Sequence, residues 1–267
     1  MRSNHFLRRP EGRLAYDLDG EGPLVVCLPG MGELRSSYRH LTPLLVDAGF
    51  RVATVDLRGH GDSDATFSAY DDVALASDTL ALIDELGGPA YLLGNSMGAG
   101  ASVIAAADRP EAIQGLVLIG PFVRNPPGGM LGTLMLRLAL LRPWGRAAFM
   151  WFYSKWTPGA KPEGYDEHTA AVAENLHRPG HWKAFVRTSR TSHAPAEARL
   201  GEVRAPTIVV MGADDIDWKD PAVEAAWVGQ RLDAKVVMVS EVGHYPQAQA
   251  PEQVADALVQ VAGGRSA

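Results

Sequence analysis

Six short apolar runs punctuate the chain, at residues 24–28, 52–57, 91–93, 116–119, 207–211 and 235–239. Each is nearly continuous in Val, Ile and Leu rather than alternating with polar residues. Strands of a parallel sheet read this way, because helices cover both faces. Helical patterns separate the runs, at 38–48, 72–86, 96–107, 221–231 and 252–262. Ser36 or Ser37 offers a cap for the first of these. Gly87-Gly88 ends the second, and Asp220-Pro221 starts the fourth. Strand alternating with helix predicts an α/β sheet with right-handed crossovers. Residues 5–9 and 13–18, either side of Glu11-Gly12, read instead as an antiparallel hairpin at the sheet edge.

The rhythm fails once. Residues 121–200 hold no clear strand and read as a helical insertion, too long to be a simple loop. The expected organisation is one sheet domain, residues 1–120 and 201–267, interrupted by a helical cap at 121–200. With 267 residues and 46% apolar composition the chain can bury such a core. A net charge of −6 and the want of any nucleic-acid motif argue against nucleic acid as a partner. One cysteine, Cys27, excludes an internal disulfide and a thiolate zinc site. The apolar-rich region 130–156 is broken by Arg137, Arg142, Pro143, Arg146 and Lys155, so no membrane span is expected. The N-terminal residues lack the apolar stretch of a secretory signal. The expectation is a soluble cytoplasmic protein. Oligomeric state is not legible in the sequence.

The run Tyr91-Leu-Leu-Gly-Asn-Ser-Met-Gly-Ala-Gly contains G-x-S-x-G as Gly94, Ser96 and Gly98. Alone the pattern is weak. Here a buried-looking strand precedes it and a small-residue helix follows, the setting of a nucleophile elbow. Such a turn pushes the serine hydroxyl out at the strand end. The helix start aims its free N–H groups at developing negative charge. A serine hydroxyl needs a base. Of the eight histidines, only His244 sits in a glycine-containing turn directly after a late apolar strand. Carboxylates able to orient it follow the 207–211 run, as Asp214, Asp215 and Asp217.

These segments together resemble the α/β-hydrolase superfamily over nearly the whole chain. Leu28-Pro-Gly-Met-Gly matches the family's oxyanion turn, Asp56-Leu-Arg-Gly-His-Gly-Asp-Ser its D-x-R-G-x-G-x-S loop, and Gly94 to Gly98 its elbow. Gly212-Ala-Asp-Asp matches its acid loop, and Gly243-His244 its histidine turn. The resemblance implies a mostly parallel eight-stranded sheet flanked by helices, with the cap inserted after strand 6. It implies Ser96 as nucleophile, His244 as general base and then acid, and Asp215 as the orienting carboxylate, with Asp214 turned to solvent. It places the oxyanion donors at the backbone N–H groups of Met31 and Met97. Pro29 stands where many relatives carry histidine, which removes that side chain's hydrogen bonds but not the Met31 N–H.

Arg58 and Asp62 are expected to tie loops together, and His60 to serve its loop. His177 and His181 have the i,i+4 spacing of a helical metal site, but Pro179-Gly180 between them argues against a regular helix. No metal or cofactor is expected. Met130, Trp151 and Tyr245 are candidate substrate contacts. Residues 112–162 contain no Asp or Glu but six cations, Arg124, Arg137, Arg142, Arg146, Lys155 and Lys161. The stretch reads either as a solvated basic face or as a cationic, apolar lid that attracts anionic or carrier-linked acyl substrates.

The function these readings imply is cleavage of a carboxylic ester or related acyl bond of a small to medium apolar substrate, through an acyl-enzyme. Gly-Asn-Ser-Met-Gly is also similar to the elbow of meta-cleavage-product hydrolases, so carbon–carbon bond hydrolysis stands as an alternative. Acyl transfer, thioester hydrolysis and perhydrolysis use the same residues. A serine at this position argues against epoxide hydrolases and haloalkane dehalogenases, whose relatives use aspartate. A ligand-sensing protein that retains the three residues is the non-enzymatic alternative.

Overall fold

The computed structural model describes residues 5–126 and 129–263, without the side chains of 129–131 and 133. The N-terminal hairpin forms as read, with β1 (His5–Arg9) antiparallel to β2 (Gly12–Asp19). Then come β3 (Leu24–Leu28), α1 (Leu41–Asp47), β4 (Arg51–Val55), α2 (Asp72–Leu86), β5 (Ala90–Asn95), α3 (Met97–Asp108) and β6 (Ile113–Ile119). Between β6 and the next strand lie five helices: α4 (Gly129–Ala139), α5 (Gly145–Tyr153), α6 (Tyr165–His177), α7 (His181–Thr188) and α8 (Ala194–Arg199). The chain closes with β7 (Thr207–Gly212), α9 (Pro221–Leu232), β8 (Lys235–Val239), α10 (Pro246–Gln249) and α11 (Pro251–Gly263).

The eight strands form one sheet in the order β1-β2-β4-β3-β5-β6-β7-β8. The β1–β2 and β2–β4 pairs are antiparallel and every other pair is parallel. This is the eight-stranded, mostly parallel α/β-hydrolase arrangement that the sequence implied.

The continuous apolar runs are explained by what covers them. Along β3, β5, β6 and β7, successive side chains enter opposite cores. Val26, Leu92, Leu116 and Val209 join the cluster on the α2–α3 face. Val25, Leu93, Val117 and Ile208 join the one on the α1–α11 face. With both faces dry, each position in these strands profits from an apolar side chain. A third cluster joins the inserted helices to the sheet edge, through Phe149, Tyr153, Trp156, Phe185 and Tyr245.

Helix ends follow their local chemistry where a cap exists. Asp71 accepts from the Ala74 N–H at the start of α2, and Asp220 accepts from Ala222 and Val223 at the start of α9. Neither Ser36 nor Ser37 caps α1. A 3-10 turn over Arg35–Tyr38 intervenes, and α1 begins after His40 with no side-chain cap. Ser36 instead contacts His168 in α6, so a tertiary contact replaces the local one. Among the inserted helices, α8 packs as part of the sheet domain: Ala196 and the following Leu200 sit in the α2–α3 core. No helix among the described residues is long and apolar enough to cross a membrane.

Candidate active site

Three strand ends converge at one edge of the sheet. After β5, Ser96 adopts φ 55°, ψ −119°, in the positive-φ region that L-residues rarely occupy. The turn is held by backbone bonds: Ser96 N–H donates to Ile119 O at 2.9 Å, and Phe122 N–H donates to Ser96 O at 3.2 Å. Gly94 and Gly98 are required by close approach. A Cβ on Gly94 would strike the Gly98 carbonyl, and one on Gly98 would strike the carbonyl of Leu28. The strained turn therefore rests on side-chain-free backbone on two sides.

His244 is fully buried in the loop after β8, 3% exposed. Its Nδ1 lies 2.7 Å from Asp215 Oδ2, in the loop after β7, and 3.4 Å from Asp217 Oδ2. Asp215 is buried and Asp214 faces solvent. The His244 main chain is pinned twice. Its N–H donates to Trp156 O at 2.8 Å, and Asn95 Nδ2 donates to its carbonyl at 3.0 Å. Asn95, the residue before Ser96, also donates to Ile119 O. One side chain thus spaces the serine turn and the histidine loop. Phe122 and Trp156 flank the imidazole, with centroids at 5.7 and 6.0 Å. Ser96 Oγ and His244 Nε2 make no hydrogen bond with each other.

Burial by itself pushes the His244 imidazole down. The Asp215 and Asp217 carboxylates more than reverse this and raise it to about 9. Burial pushes the Asp217 carboxyl up, the His244 charge pulls it down, and the Asp215 charge adds to the rise. One atom each of Asp215, Asp217 and His244 lies within 4.8 Å of the others, a spacing that could hold a cation. The same atoms already serve the imidazole–carboxylate pair, which is the simpler use of that donor set.

On the opposite side lies the turn after β3. Gly30 packs against Ser96 so closely that a Cβ there would sit 2.9 Å from the serine Cβ. Neither the Met31 N–H nor the Met97 N–H has an acceptor among the described residues. Met97 opens α3, where N–H groups have no partner within the helix. The next residue, Gly32, donates its N–H to His60 Nε2 at 3.1 Å, while His60 Nδ1 lies 3.0 Å from Arg58 O. An Nδ1–H tautomer satisfies both bonds. Burial keeps that imidazole neutral, lowering it to about 4. The expected loop role of His60 is thereby specific: it holds the turn that carries Met31. Arg58 ties loops as expected, with Nε and Nη2 on Asp78 at 2.6 and 2.8 Å and Nη1 on Ala69 O. Asp62 pairs with Arg35 at 3.0 Å.

A second buried polar group was not legible in the sequence. Glu33, 1% exposed, follows the same turn. It accepts from the Tyr153 hydroxyl of α5 and lies 2.9 Å from His168 Nε2 of α6. Burial pushes the Glu33 carboxyl up, but His168 and the Tyr153 hydroxyl outweigh it and hold the group below its ordinary value. Its partners lie 120 and 135 residues away, so no local pattern signals them.

The three expected substrate contacts have different fates. Tyr245 is buried against Tyr153, Trp156 and His244. Trp151 does not reach the site; it is 66% exposed on the outer face of α5, with Lys155 over its ring. The side chain of Met130 lies outside the described residues. Phe149 and Trp156 occupy the inner position instead, Phe149 against Gly32 and Trp156 against His244. His177 is exposed and His181 bonds Asn175, so these two histidines do not converge.

A family model described as "Alpha/beta hydrolase family" matches residues 25–257. A 2-hydroxy-6-oxo-6-phenylhexa-2,4-dienoate hydrolase of Comamonas testosteroni is 30% identical over 250 residues, 87% of this chain and 85% of that protein. A 2-hydroxy-6-oxononadienedioate/2-hydroxy-6-oxononatrienedioate hydrolase of the same organism is 30% identical, covering 73% of this chain and 72% of that one. Among solved structures, a bromoperoxidase from Bacillus anthracis superposes with a TM-score of 0.83 at 19% identity, covering 97% and 99% of the two chains. At that identity the likeness speaks for the fold alone.

Proposed function

Because the chain belongs to the alpha/beta hydrolase family, we propose that it is a serine hydrolase acting on an acyl bond through Ser96, His244 and Asp215. The observation that carries this reading is the buried 2.7 Å contact of His244 Nδ1 with Asp215 at the sheet edge that holds the strained Ser96 turn. With Nδ1 engaged, Nε2 is the nitrogen left to take the serine proton. The Ser96 hydroxyl attacks the substrate carbonyl, its proton passing to His244. The oxyanion forms between the N–H groups of Met31 and Met97, each worth about 3 kcal/mol in the transition state. His244 returns the proton to the leaving group and then activates the water that releases the acid. None of these steps needs a cofactor. The Ser96–His244 hydrogen bond, which the structure does not contain, forms in this reading as substrate enters.

The insertion at 121–200 supplies the cap in this reading through α4 to α7, while its last helix, α8, packs with the catalytic domain of residues 1–120 and 201–267. The substrate is a small to medium acyl compound with an apolar part, held between the Ser96 turn and the aromatic wall of Phe149, Trp156 and Tyr245. The leading reaction is ester hydrolysis. A second reading, carbon–carbon bond hydrolysis, is favoured by the two dienoate and dienedioate hydrolases at 30% identity. There His244 would protonate a carbon rather than an oxygen leaving group. Fluorophosphonate labelling that disappears in Ser96→Ala tests the activated serine; an unlabelled, folded wild type refutes it. A series of p-nitrophenyl esters of rising chain length beside a 2-hydroxy-6-oxo-dienoate separates the two reactions by kcat/KM.

A further inference from the structure

Helix α5 carries apolar side chains on both faces. Phe149 and Tyr153 point inward and are buried, whereas Trp151 and Phe152 point outward, 66% and 40% exposed. A surface helix of a soluble domain ordinarily turns polar residues to water. The same inversion runs through α4 and the loop after it. Leu134, Met135, Leu136, Leu138, Leu141 and Trp144 are all at least 42% exposed, and of the described side chains from 134 to 144 only Leu140 is buried. The other exposed large apolar residues, such as Phe6, Val73 and Val259, sit singly on separate elements. An apolar surface this concentrated marks an interaction face.

The charges interleaved with it have one sign. No Asp or Glu occurs between Glu111 and Glu163. Two of the six cations turn inward: Arg124 pairs with Glu224, and Arg146 donates to Leu176 O and lies over Trp182. Arg137, Arg142 and Lys155 are exposed beside the apolar residues and form no ion pair among the described residues. A second copy of this chain meeting the face about a two-fold axis would set these cations against themselves. An anionic bilayer satisfies both features at once, taking the tryptophan and leucine side chains at the acyl boundary and the cations at its headgroups.

We propose that the outer face of α4 and α5 docks the protein peripherally on an anionic lipid surface. The inner face of α5 packs on Gly32 and its C-terminal continuation on His244. Docking therefore sets the wall of the candidate site directly beneath the membrane-facing helix. The proposal does not depend on which bond the site cleaves.

Co-sedimentation of the full-length chain with phosphatidylcholine vesicles, with and without phosphatidylglycerol, tests it. The wild type is expected to partition onto the phosphatidylglycerol vesicles only, with a blue shift of tryptophan emission. Binding should weaken as salt rises. Arg137→Gln with Arg142→Gln is expected to weaken partitioning about 30-fold, from about fivefold per cation near a charged surface. Trp151→Ser with Leu138→Ser should abolish the binding. All four residues are exposed, so an unchanged thermal midpoint shows that the variants fold. Absence of binding to anionic vesicles overturns the proposal. So does equal binding to both vesicle types. A solution dimer that Trp151→Ser with Leu138→Ser dissociates would overturn it too, making the face an interface between copies.

Discussion

Asp217→Asn separates the two carboxylates that face His244. In the structure both act on the same nitrogen, Asp215 from 2.7 Å and Asp217 from 3.4 Å. Only Asp215 is fully buried and placed to orient the ring. Asp217 contributes charge. At an effective dielectric of about 20, Coulomb's law bounds an interaction at that separation to about 5 kcal/mol. Water reaching the half-buried Asp217 carboxylate reduces this to an expected 1–2 pKa units, roughly. The imidazole, raised to about 9 in the wild type, should then titrate nearer to about 7.5. The neutral, proton-accepting fraction at pH 7 rises from about 1% to about 25%, and a weaker base returns part of that gain. The net expectation is a reaction of Ser96 about tenfold faster at pH 7, with little change on the alkaline plateau. The assay is the second-order rate of fluorophosphonate labelling from pH 5 to 10, which needs no knowledge of the substrate. Asp215→Asn should instead lower the plateau itself by several orders of magnitude, because the ring loses its orienting partner. An acidic limb that stays put in Asp217→Asn refutes the electrostatic reasoning. A plateau that collapses in Asp217→Asn as it does in Asp215→Asn would give Asp217 the orienting role.

Ser96→Gly removes the side chain from a residue at φ 55°. It should raise stability in urea by about 1 kcal/mol while abolishing labelling; a destabilised variant would mean that the turn stores no strain. His60→Leu strips the Gly32 N–H of its acceptor and should cost about 2 kcal/mol, with a fall in kcat larger than any change in KM; an unchanged kcat would separate His60 from the Met31 turn. Glu33→Ala leaves His168 and the Tyr153 hydroxyl buried without their partner and should destabilise by about 3 kcal/mol at pH 7. Since the Glu33 carboxyl is held below its ordinary 4.5, that contribution is full above the unfolded value and is lost as pH falls through the folded one. The wild type and the variant should therefore converge in acid, as urea titrations at pH 7 and pH 3 would read.

What the chain's linear order determined is whatever depends on repetition and on short-range geometry. Apolar runs announce parallel strands where both faces are covered, as in β3, β5, β6 and β7; the edge strand β8 departs from this, with Lys235 and Met238 exposed. Gly94 and Gly98 announce a tight turn, because backbone meets backbone there. The candidate nucleophile, base and oxyanion turn follow because each lies immediately after a strand, and parallel strands deliver all their C-terminal ends to one edge of the sheet. Three features were settled only by the folded molecule. The family resemblance pointed to Asp215, but only the fold shows that Asp217 also faces the imidazole, 3.4 Å from the nitrogen that Asp215 meets at 2.7 Å. The anchoring of the Met31 turn by His60 and Glu33 joins residues 28 to 135 positions apart, and a hydrogen bond between distant segments leaves no periodicity to detect. The outward turn of Trp151 follows from the packing of α5. Four aromatic residues crowd positions 149–153, and a helix turns neighbouring side chains to different faces. Only the fit of Phe149 against Gly32 and of Tyr153 against Glu33 decides which of them face the core and which are left to the surface.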